Sequence, residues 1–594
     1  MVCRRGCRKS VNREKSMNWK LRKKHEALLS RERGFVKKVW GTGCAVCLAY
    51  PNVYRVGMAN LGFQTVYKIF NELTSFLCER VFLPAAGDGA ESAVGAGEML
   101  SLENLRPLRD FDILAFSVSF ENDYPSILKM LELGGLPLKA QDRNEKHPLV
   151  IGGGIALTLN PEPLADFFDV FVPGEAEEIL PAFARSYRQA RQKELGRREL
   201  LYDLQTQVPG LYIPSLYNVD YLPDGKIERI YPLAKGIPQK IKIHSIKNID
   251  AFCTAETVSS PDSEMADMYL VEVNRGCPHL CRFCAAGHVY APPRFRSRQS
   301  ILEAVDAGLK LKNKIGLVGT AVSDHPELAE ICRYIAERGA RAGIGSLRLD
   351  RLDEKTAQML KTGGIETVAL APEAGSQRLR DLLRKGIIEQ DIIDAAKMLI
   401  EKDILNLRLY FMTGLPSETD EDIDAIIELV KKIQHTAVSV THGQKKFRRI
   451  TLSINQFIPK PRTPFQWCPL ADVRVVGRRI RKISQAFRKD KQIRILTGVP
   501  KWDFVQALLS LGDRRTGDIL LAAHRLGGNW TRALREVNIN PDFYVYRSKG
   551  TDEILPWDIL DVGISKKALV REYLKAMAAN EDKTAEQADF TPVF

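Results

Sequence analysis

The stretch Asn274–Ala285, with the sequence NRGCPHLCRFCA, decides how the rest of the chain is interpreted. Its three cysteines, Cys277, Cys281 and Cys284, have the spacing C-x3-C-x2-C and directly follow an apolar run typical of a strand. Three thiolates on one short loop can ligate three irons of a cubane iron–sulfur cluster and leave the fourth iron open. A loop at the carboxyl end of a barrel strand is also where barrel enzymes place their chemistry.

Two other interpretations of these cysteines follow from the residues alone. In the first, the three are unrelated buried cysteines. In the second, they bind zinc, with His288 as the fourth ligand. Three of the 11 cysteines lie within eight residues, which argues against the first. Small zinc modules normally carry two close ligand pairs, whereas this loop has one triplet. Arg275 and Arg282 carry positive charge in the loop, which is expected to favour deprotonation of the thiols.

A region of alternating strands and helices surrounds the loop, over residues 266–490. Amphipathic stretches such as Leu328–Glu337 and Asp422–Ile433 predict helices between apolar runs. Six consecutive strand–helix units predict an open or partial parallel barrel. The predicted strands are Tyr269–Val273, Ile315–Gly319, Ser346–Asp350, Thr367–Ala371, Asn406–Met412 and Ile450–Phe457.

A second α/β region precedes the barrel, at residues 41–200. Apolar strands separated by helices predict a parallel sheet covered on both faces, with ligands at the carboxyl ends of the strands, where Gly152, Gly153 and Gly154 lie. Residues 201–265 are predicted to form an extended connector, and residues 491–594 are predicted to be mainly helical. The predicted N-terminal elements are the strands Ala45–Tyr50, Asp112–Ser119, Leu149–Gly154 and Asp169–Gly174 and the helix Gly62–Phe76.

The composition excludes several classes of protein. With 594 residues, 45% of them hydrophobic and 27% charged, the chain is typical of a globular protein. Eleven cysteines are too few for a disulfide scaffold of this length. No run of about 18 apolar residues occurs, so no membrane span is expected. The basic N-terminus is not followed by an apolar segment, so we expect no signal peptide and a reducing, cytoplasmic location.

The net charge of +14 is unevenly distributed. Residues 1–40 hold 14 Lys or Arg and 3 Asp or Glu, a net charge of +11, and are predicted to be a mobile basic arm with a short helix. Residues 472–494 hold 9 Lys or Arg and 2 Asp, a net charge of +7, so the rest of the chain sums to −4. Both basic segments could contact phosphates, so nucleic acid is a candidate partner. Either Met1 or Met17 fits as the start.

Four motifs, in family order, resemble those of the radical S-adenosylmethionine (radical SAM) superfamily, and the resemblance covers residues 266–490. The first is the three-cysteine loop, with the aromatic residue Phe283 before its third cysteine. The others are Ala371–Gln377 (APEAGSQ) followed by Leu383–Gly386, Tyr410–Thr419 (YFMTGLPSET), and Gln456–Phe465 (QFIPKPRTPF). The resemblance implies a [4Fe-4S] cluster on Cys277, Cys281 and Cys284. Its open iron would bind S-adenosylmethionine, and a flavodoxin- or ferredoxin-like protein would supply electrons.

The same resemblance suggests residues that contact S-adenosylmethionine, besides Phe283. Glu373 would hold the ribose hydroxyls, or else it is a carboxylate at a helix N-terminus. Ser323 and Asp324 would bind the amino group, although Asp324 could equally cap the following helix. Arg408 would pair with the carboxylate, or else with a buried acid. Gly414 would lie against adenine, or merely form a turn.

Residues 41–180 resemble the Rossmann-like cobalamin-binding domain that precedes the barrel in one mostly uncharacterised branch of the superfamily. The stretches that carry this resemblance are YPNVYRVGMANLGFQ, DILAFSVSF, IGGG and VPGEAEE. Cobalamin domains often carry Asp-x-His-x-x-Gly, whose histidine coordinates cobalt, and no such motif occurs here. Either a corrin binds without a histidine ligand, or the domain keeps the fold without the cofactor. Cys44 and Cys47 form C-x2-C, but alternation along a strand favours a structural role.

The predicted fold class is therefore α/β, with an N-terminal Rossmann-like parallel sheet, a central partial (β/α)6 radical SAM barrel and a mainly helical C-terminal region. The predicted function is a radical SAM enzyme that cleaves S-adenosylmethionine reductively to a 5′-deoxyadenosyl radical, with the substrate unidentified. One alternative is a methyl or methylthio transferase acting on RNA or protein. A non-enzyme alternative is a metal-dependent nucleic-acid-binding protein.

Overall fold

The computed structural model describes residue 19 and residues 22–41, 43–85, 99–345, 347–443 and 447–584. Within these ranges, no helix is both long enough and apolar enough to cross a membrane.

Five strands form the N-terminal sheet in the order β2-β1-β3-β4-β5, and every neighbouring pair is parallel. Apolar side chains of the sheet and of its helices form one large core. The predicted parallel sheet is confirmed. The strands are β1 (Cys44–Val53), β2 (Phe76–Leu83), β3 (Ile113–Ser117), β4 (Leu149–Gly153) and β5 (Val170–Val172). The helices are α1 (Tyr54–Gly57), α2 (Leu61–Glu72), α3 (Tyr124–Leu133), α4 (Ile155–Leu159), α5 (Ala176–Gln192) and α6 (Arg197–Gln207).

Strand β2 was not predicted, and the helix predicted to reach Phe76 ends at Glu72. The sequence of β2, FLCERVFL, contains charged residues, so it does not have the continuous apolar pattern of a buried strand. Arg80 is fully buried, with Nη2 2.6 Å from Glu32 and Nε 2.7 Å from Glu103. Buried charges are tolerated when they are paired in this way, and the partners lie far away in sequence.

The central region contains two four-stranded sheets, ordered β10-β9-β11-β12 and β13-β14-β15-β16. Except for the short antiparallel β10, all neighbours are parallel. The strands are β9 (Tyr269–Arg275), β10 (Arg294–Phe295), β11 (Lys314–Gly319), β12 (Arg341–Ile344), β13 (Thr367–Glu373), β14 (Asn406–Thr413), β15 (Arg449–Gln456) and β16 (Ile493–Thr497). The helices are α7 (Ala285–Val289), α8 (Arg298–Leu309), α9 (Leu328–Glu337), α10 (Glu354–Thr362), α11 (Gln377–Leu382), α12 (Glu389–Glu401), α13 (Asp420–Val440) and α14 (Val473–Ala486).

Seven parallel strands, β9 and β11–β16, therefore follow one another with intervening helices in an open arrangement of two sheets, where six were predicted. The strand predicted at Ser346–Asp350 is wrong, because β12 ends at Ile344 and residues 349–351 form a single 3-10 turn. Its apolar residues Leu347 and Leu349 are buried in the core of the second sheet instead of forming a ladder. The seventh strand, β16, was missed because it is a half-buried edge strand with an exposed arginine.

The connector contains a hairpin of β6 (Tyr217–Tyr221) and β7 (Ile227–Pro232). The C-terminal region is mainly helical, as predicted, and it returns to the connector where β8 (Ile241–Lys242) pairs with β17 (Leu560–Asp561). Its helices are α15 (Pro500–Leu511), α16 (Thr516–Arg525), α17 (Trp530–Glu536), α18 (Asp542–Val545) and α19 (Lys566–Thr584).

Part of the basic arm is docked rather than mobile. Residues 22–29 are helical, as expected, and Glu32 is buried against Arg80. The Lys38 ammonium donates hydrogen bonds to the carbonyl oxygens of Asn71 and Phe76, both at 2.7 Å. This basic residue therefore closes the end of α2 instead of facing solvent. Met1 and Met17, the two candidate starts, lie outside the described residues.

The C-x2-C pair of β1 belongs to the N-terminal core. Cys47 is fully buried and Cys44 partly so. Burial raises the pKa of both thiols, which disfavours the thiolate that metal or redox chemistry requires. These contacts support the structural interpretation.

Candidate active site

The three-cysteine loop begins where β9 ends. Gly276 has φ +77°, and a Cβ there would lie 2.4 Å from the carbonyl oxygen of Tyr290, so the turn requires glycine. Cys281 is buried, whereas Cys277 and Cys284 are partly exposed, and all three are free thiols. Cys284 immediately precedes α7.

The donor chemistry of this loop fits an iron–sulfur cluster, which needs thiolates. Burial raises the pKa of Cys277 and raises that of Cys281 to about 11, so both thiols hold their protons at neutral pH. Within the described ranges, no three His, Cys, Asp or Glu side chains are arranged to hold a metal ion, and this loop is no exception. The fit of an iron–sulfur cluster therefore rests on the three cysteine thiols as donors. Binding of the cluster would release their protons. His288 is buried beside Cys281, and burial lowers the pKa of its imidazole to about 4.

The charges near the thiols differ from those predicted. The cations that lower the pKa of Cys281 are Lys385 and Arg348, although burial outweighs them. Arg275 is instead held by three glutamates at 2.5–3.6 Å. Arg282 donates to a backbone carbonyl oxygen after the fourth barrel strand, at 2.9 Å. The expectation for the two loop arginines is wrong, because their side chains point to neighbouring segments.

Phe283 joins the loop to the other three motifs. It packs against a buried apolar cluster that contains Ala374, Leu415 and Phe465, one residue from each motif. Backbone hydrogen bonds join the same segments. The N–H of Arg282 donates to the carbonyl oxygen of Leu383 at 3.0 Å, and the N–H of Phe465 donates to the carbonyl oxygen of Arg282 at 3.3 Å. Segments far apart in sequence therefore converge on the cysteine loop.

Asp324 contacts the loop directly. Its Oδ1 lies 2.8 Å from Nε2 of His279, a residue of the loop, and its Oδ2 is buried without a hydrogen-bond partner. Asp324 does not cap the next helix: α9 begins at Leu328, and no side chain caps it. The capping alternative is therefore wrong. Ser323 lies beside it, with Oγ accepting the N–H of Arg348 at 3.2 Å.

Glu373 ends β13 with φ +67°, a left-handed conformation that is uncommon outside glycine and is found at functional sites. Its carboxylate lies 3.0 Å from the Lys385 ammonium, the same cation that acts on Cys281. Helix α11 begins only at Gln377, has no acid in its first turn and is capped by Ser376. The alternative of a helix N-terminal carboxylate is therefore wrong.

Arg408 lies on the interior face of β14, because Leu407 and Leu409 on either side of it are buried in the core beneath the helices. Its guanidinium is 5.0 Å from the ring centroid of Tyr410, and Nη2 is 3.4 Å from Oγ of Ser453. Nε is buried without a partner. Among the described residues no carboxylate pairs with it, so the buried ion-pair alternative is not supported.

Gly414 has φ +81°, and its N–H donates to Oε2 of Glu418 at 2.6 Å. A Cβ there would approach the Ala471 side chain to 2.9 Å. The left-handed backbone conformation of the turn and the close packing explain why this position is a glycine. A role at adenine remains a prediction.

A cavity of about 530 Å³ lies between the carboxyl edge of the N-terminal sheet and the start of the cysteine loop. Asn60, Ser117 and Gly153 line one side, and Asn274 and Thr320 line the other. Its volume lies within the range of small-molecule sites. The structure thus brings the glycines of β4 towards the loop, which the sequence could not show.

Packing explains two of the three consecutive glycines at the end of β4, Gly152 and Gly154. A Cβ on Gly152 would lie 2.6 Å from the ring of Phe168, and one on Gly154 would lie 2.3 Å from the carbonyl oxygen of Val118. They are therefore required by the sheet itself, whether or not a ligand binds.

Glu572, on the C-terminal helix α19, was missed by the sequence analysis. Its carboxylate lies 3.4 Å from Arg282 and 3.3 Å from Arg384. Tyr573 and Ala576 of the same helix belong to the apolar cluster around Phe283. No local pattern marks this residue, because its partners are 188 and 290 positions away.

Comparison with known proteins assigns two segments of the chain to known families. Residues 271–430 match the radical SAM superfamily, and residues 62–214 match the N-terminal domain of radical SAM proteins. An uncharacterized protein of Methanocaldococcus jannaschii is 30% identical over 426 residues, which is 71% of this chain and 79% of that protein. The ribosomal protein uS12 methylthiotransferase RimO of Desulfitobacterium hafniense is 28% identical over 210 residues, 33% of this chain and 47% of that protein. Among solved structures, the radical S-adenosylmethionine methyltransferase TsrM of Kitasatospora setae, with cobalamin and a [4Fe-4S] cluster bound, matches with a TM-score of 0.44 and 15% identity over 69% of this chain and 72% of that one.

Proposed function

Because this chain belongs to the radical SAM superfamily and is an enzyme of that superfamily, we propose that Cys277, Cys281 and Cys284 hold a [4Fe-4S] cluster. The observation that carries the proposal is the convergence of the fourth-, fifth- and sixth-strand motifs on the cysteine loop around Phe283. When bound and reduced, such a cluster supplies the electron that splits S-adenosylmethionine into methionine and a 5′-deoxyadenosyl radical.

The residues around the loop would bind and orient S-adenosylmethionine. Arg408 offers an interior guanidinium without a carboxylate partner, which suits the methionine carboxylate. Asp324 has a buried oxygen without a partner, which together with Ser323 suits the amino group. Glu373 would accept the ribose hydroxyls after exchanging its bond to Lys385. Phe283 would pack beside the cluster and exclude water.

The test is anaerobic reconstitution with iron and sulfide, followed by dithionite and S-adenosylmethionine. We expect brown cluster absorption, bound iron and formation of 5′-deoxyadenosine. Cys281→Ala should lose most of the iron, whereas Cys253→Ala, which removes an exposed cysteine outside the loop, should keep it. Equal iron content in the two variants, or no 5′-deoxyadenosine from the wild type, would refute the proposal.

A second candidate function is methyl or methylthio transfer, favoured by the similarity to the uS12 methylthiotransferase. Mass spectrometry of the products distinguishes the two. Transfer adds a methyl or methylthio group to a substrate, whereas hydrogen abstraction alone does not.

We propose that the cavity at the carboxyl edge of the N-terminal sheet binds a ligand other than S-adenosylmethionine, either cobalamin or the substrate. None of its lining residues is a histidine, so cobalamin bound there would lack a histidine ligand from the cavity. Purification with cobalamin supplied tests this. A stoichiometric corrin absorbance identifies the cavity as a cobalamin site, and its loss in a cavity-filling Gly153→Leu variant confirms the location. A corrin-free protein would leave the cavity to the substrate.

We propose a flavodoxin- or ferredoxin-like protein as the electron donor. Arg351 and Arg384 lie exposed beside the loop, with side chains 57% and 48% accessible. They offer positive charge to an acidic donor. Replacing dithionite with reduced flavodoxin should still yield 5′-deoxyadenosine, and the rate should fall with salt. The nine free cysteines of the described chain suit a reducing compartment, and we propose the cytoplasm.

A further inference from the structure

Helix α14 has an exposed basic face that the proposed reaction does not use. Val476 and Ile483 are buried on its opposite face. Arg478, Arg481 and Arg488, which we call the arginine stripe, are exposed. None of the three forms an ion pair with a described residue. Arg478 and Arg488 are ten positions apart, about 15 Å along the helix and the turn after it.

The surface beside the stripe adds further charge and an exposed aromatic ring. Strand β16 is the edge of its sheet, and Arg494 on it is exposed. The chain then continues into α15, which packs against α14. Trp502, in the first turn of α15, is 44% accessible, and Lys501 beside it is also exposed. The helix that carries the arginines thus packs against the helix that carries an accessible indole, so phosphate-binding and base-stacking groups lie on neighbouring elements.

We propose that the arginine stripe and Trp502 form a binding surface for single-stranded nucleic acid. Arginines along a groove follow the phosphate backbone, and an aromatic side chain stacks on bases irrespective of sequence. An anionic membrane fits less well, because an interfacial helix needs a free apolar face, and that of α14 is already buried in the barrel. An acidic protein would use the charges but has no particular need for an exposed indole.

The surface adjoins the candidate active site. Arg479, on the inner side of α14, lies 2.7 Å from Glu418, which in turn accepts the N–H of Gly414 at 2.6 Å. The helix that carries the stripe therefore also contacts the turn after β14 through its inner side. The inference goes beyond the proposed reaction and does not depend on the cluster.

The test measures binding of a fluorescein-labelled single-stranded RNA oligonucleotide to the reconstituted full chain at several salt concentrations. Each phosphate contact contributes about 0.7 to the slope of log affinity against log salt. Alanine at the three stripe positions should therefore reduce the slope by about 2 and weaken binding at least tenfold. The matched control is alanine at Arg185, Arg188 and Arg198, three other exposed arginines that form no ion pair with a described residue, and it should change the slope by less than about 1.

Trp502 is tested separately. Trp502→Ala should weaken binding about tenfold, and Trp502→Phe should restore most of it, because stacking needs only an aromatic face. Equal effects of the stripe and control triples would overturn the proposal, as would no RNA binding, or stripe-dependent binding of polyglutamate but not RNA. Cys281→Ala should bind RNA like the wild type, so failure of the cluster proposal and failure of this one are distinguishable.

Discussion

Replacing Arg479 with methionine should destabilise the protein by about 3 kcal/mol. The guanidinium donates to Oε2 of Glu418 at 2.7 Å and to the Glu418 carbonyl oxygen at 2.6 Å. The Glu418 side chain is only 1% accessible, and that of Arg479 is 13% accessible. The substitution keeps most of the side-chain volume and removes the charge, together with the hydrogen bond to the Glu418 carbonyl and a contact of 3.4 Å to the exposed Asp420.

The size of the expected stability loss depends on the hydrogen bonds that Glu418 keeps in the variant. Removing one partner of a buried ion pair costs about 3–5 kcal/mol, because the other charge stays buried. Glu418 would still accept hydrogen bonds from the Gly414 N–H at 2.6 Å and the Thr413 hydroxyl at 3.0 Å. These two bonds stabilise the carboxylate, so the lower end of the range is expected.

The loss of stability caused by Arg479→Met should also grow as the pH rises. Burial raises the pKa of Glu418 above its ordinary value of 4.5, and the Gly414 N–H and Arg479 oppose this. An acid with a raised pKa holds its proton more tightly in the folded protein than in the unfolded one. Its contribution to stability is therefore greatest at low pH and declines as the pH rises through the folded pKa. Without Arg479 that pKa rises further, so the gap between variant and wild type widens as the pH rises above the pKa of Glu418 in the wild type.

The assay is urea unfolding at several pH values. The matched control is Arg478→Met on the exposed face of the same helix, which should change stability by less than about 0.5 kcal/mol. The double variant with Glu418→Gln should recover part of the loss, because no buried charge remains. A loss equal to that of the control, or one independent of pH, would refute the reasoning.

Three further predictions concern packing and buried charge. Gly375→Ala places a Cβ 2.2 Å from the backbone nitrogen of Ile426 and should lower stability by about 2–3 kcal/mol in urea unfolding, whereas Gly345→Ala, with open space around it, should be neutral. Asp123→Asn should make the protein more stable above pH 6 in thermal unfolding: burial raises the pKa of this acid from 3.8 to about 6, so its contribution falls as the pH rises through that interval. Arg80→Met leaves two buried glutamates without their cation and should cost roughly 3–5 kcal/mol in urea unfolding; a near-neutral effect would contradict the ion-pair network.

The sequence alone determined the class of fold and the superfamily. Apolar runs at strand spacing marked β1, β3, β4, β5 and five of the six predicted barrel strands, because burial on both faces demands such runs. The spacing of Cys277, Cys281 and Cys284 and the order of the four motifs identified the superfamily. These are local features of the chain, so they can be recognised without the folded structure.

Only the tertiary structure decided which charges meet. The strand containing Arg80 was hidden because its charge is neutralised by Glu32 and Glu103, which are distant in sequence. The cations acting on Cys281 come from segments after β12 and after α11, and Glu572 reaches the loop across 290 positions. The free energy of a charged group depends on the partners and burial that the fold supplies, and neither is written in the adjacent residues.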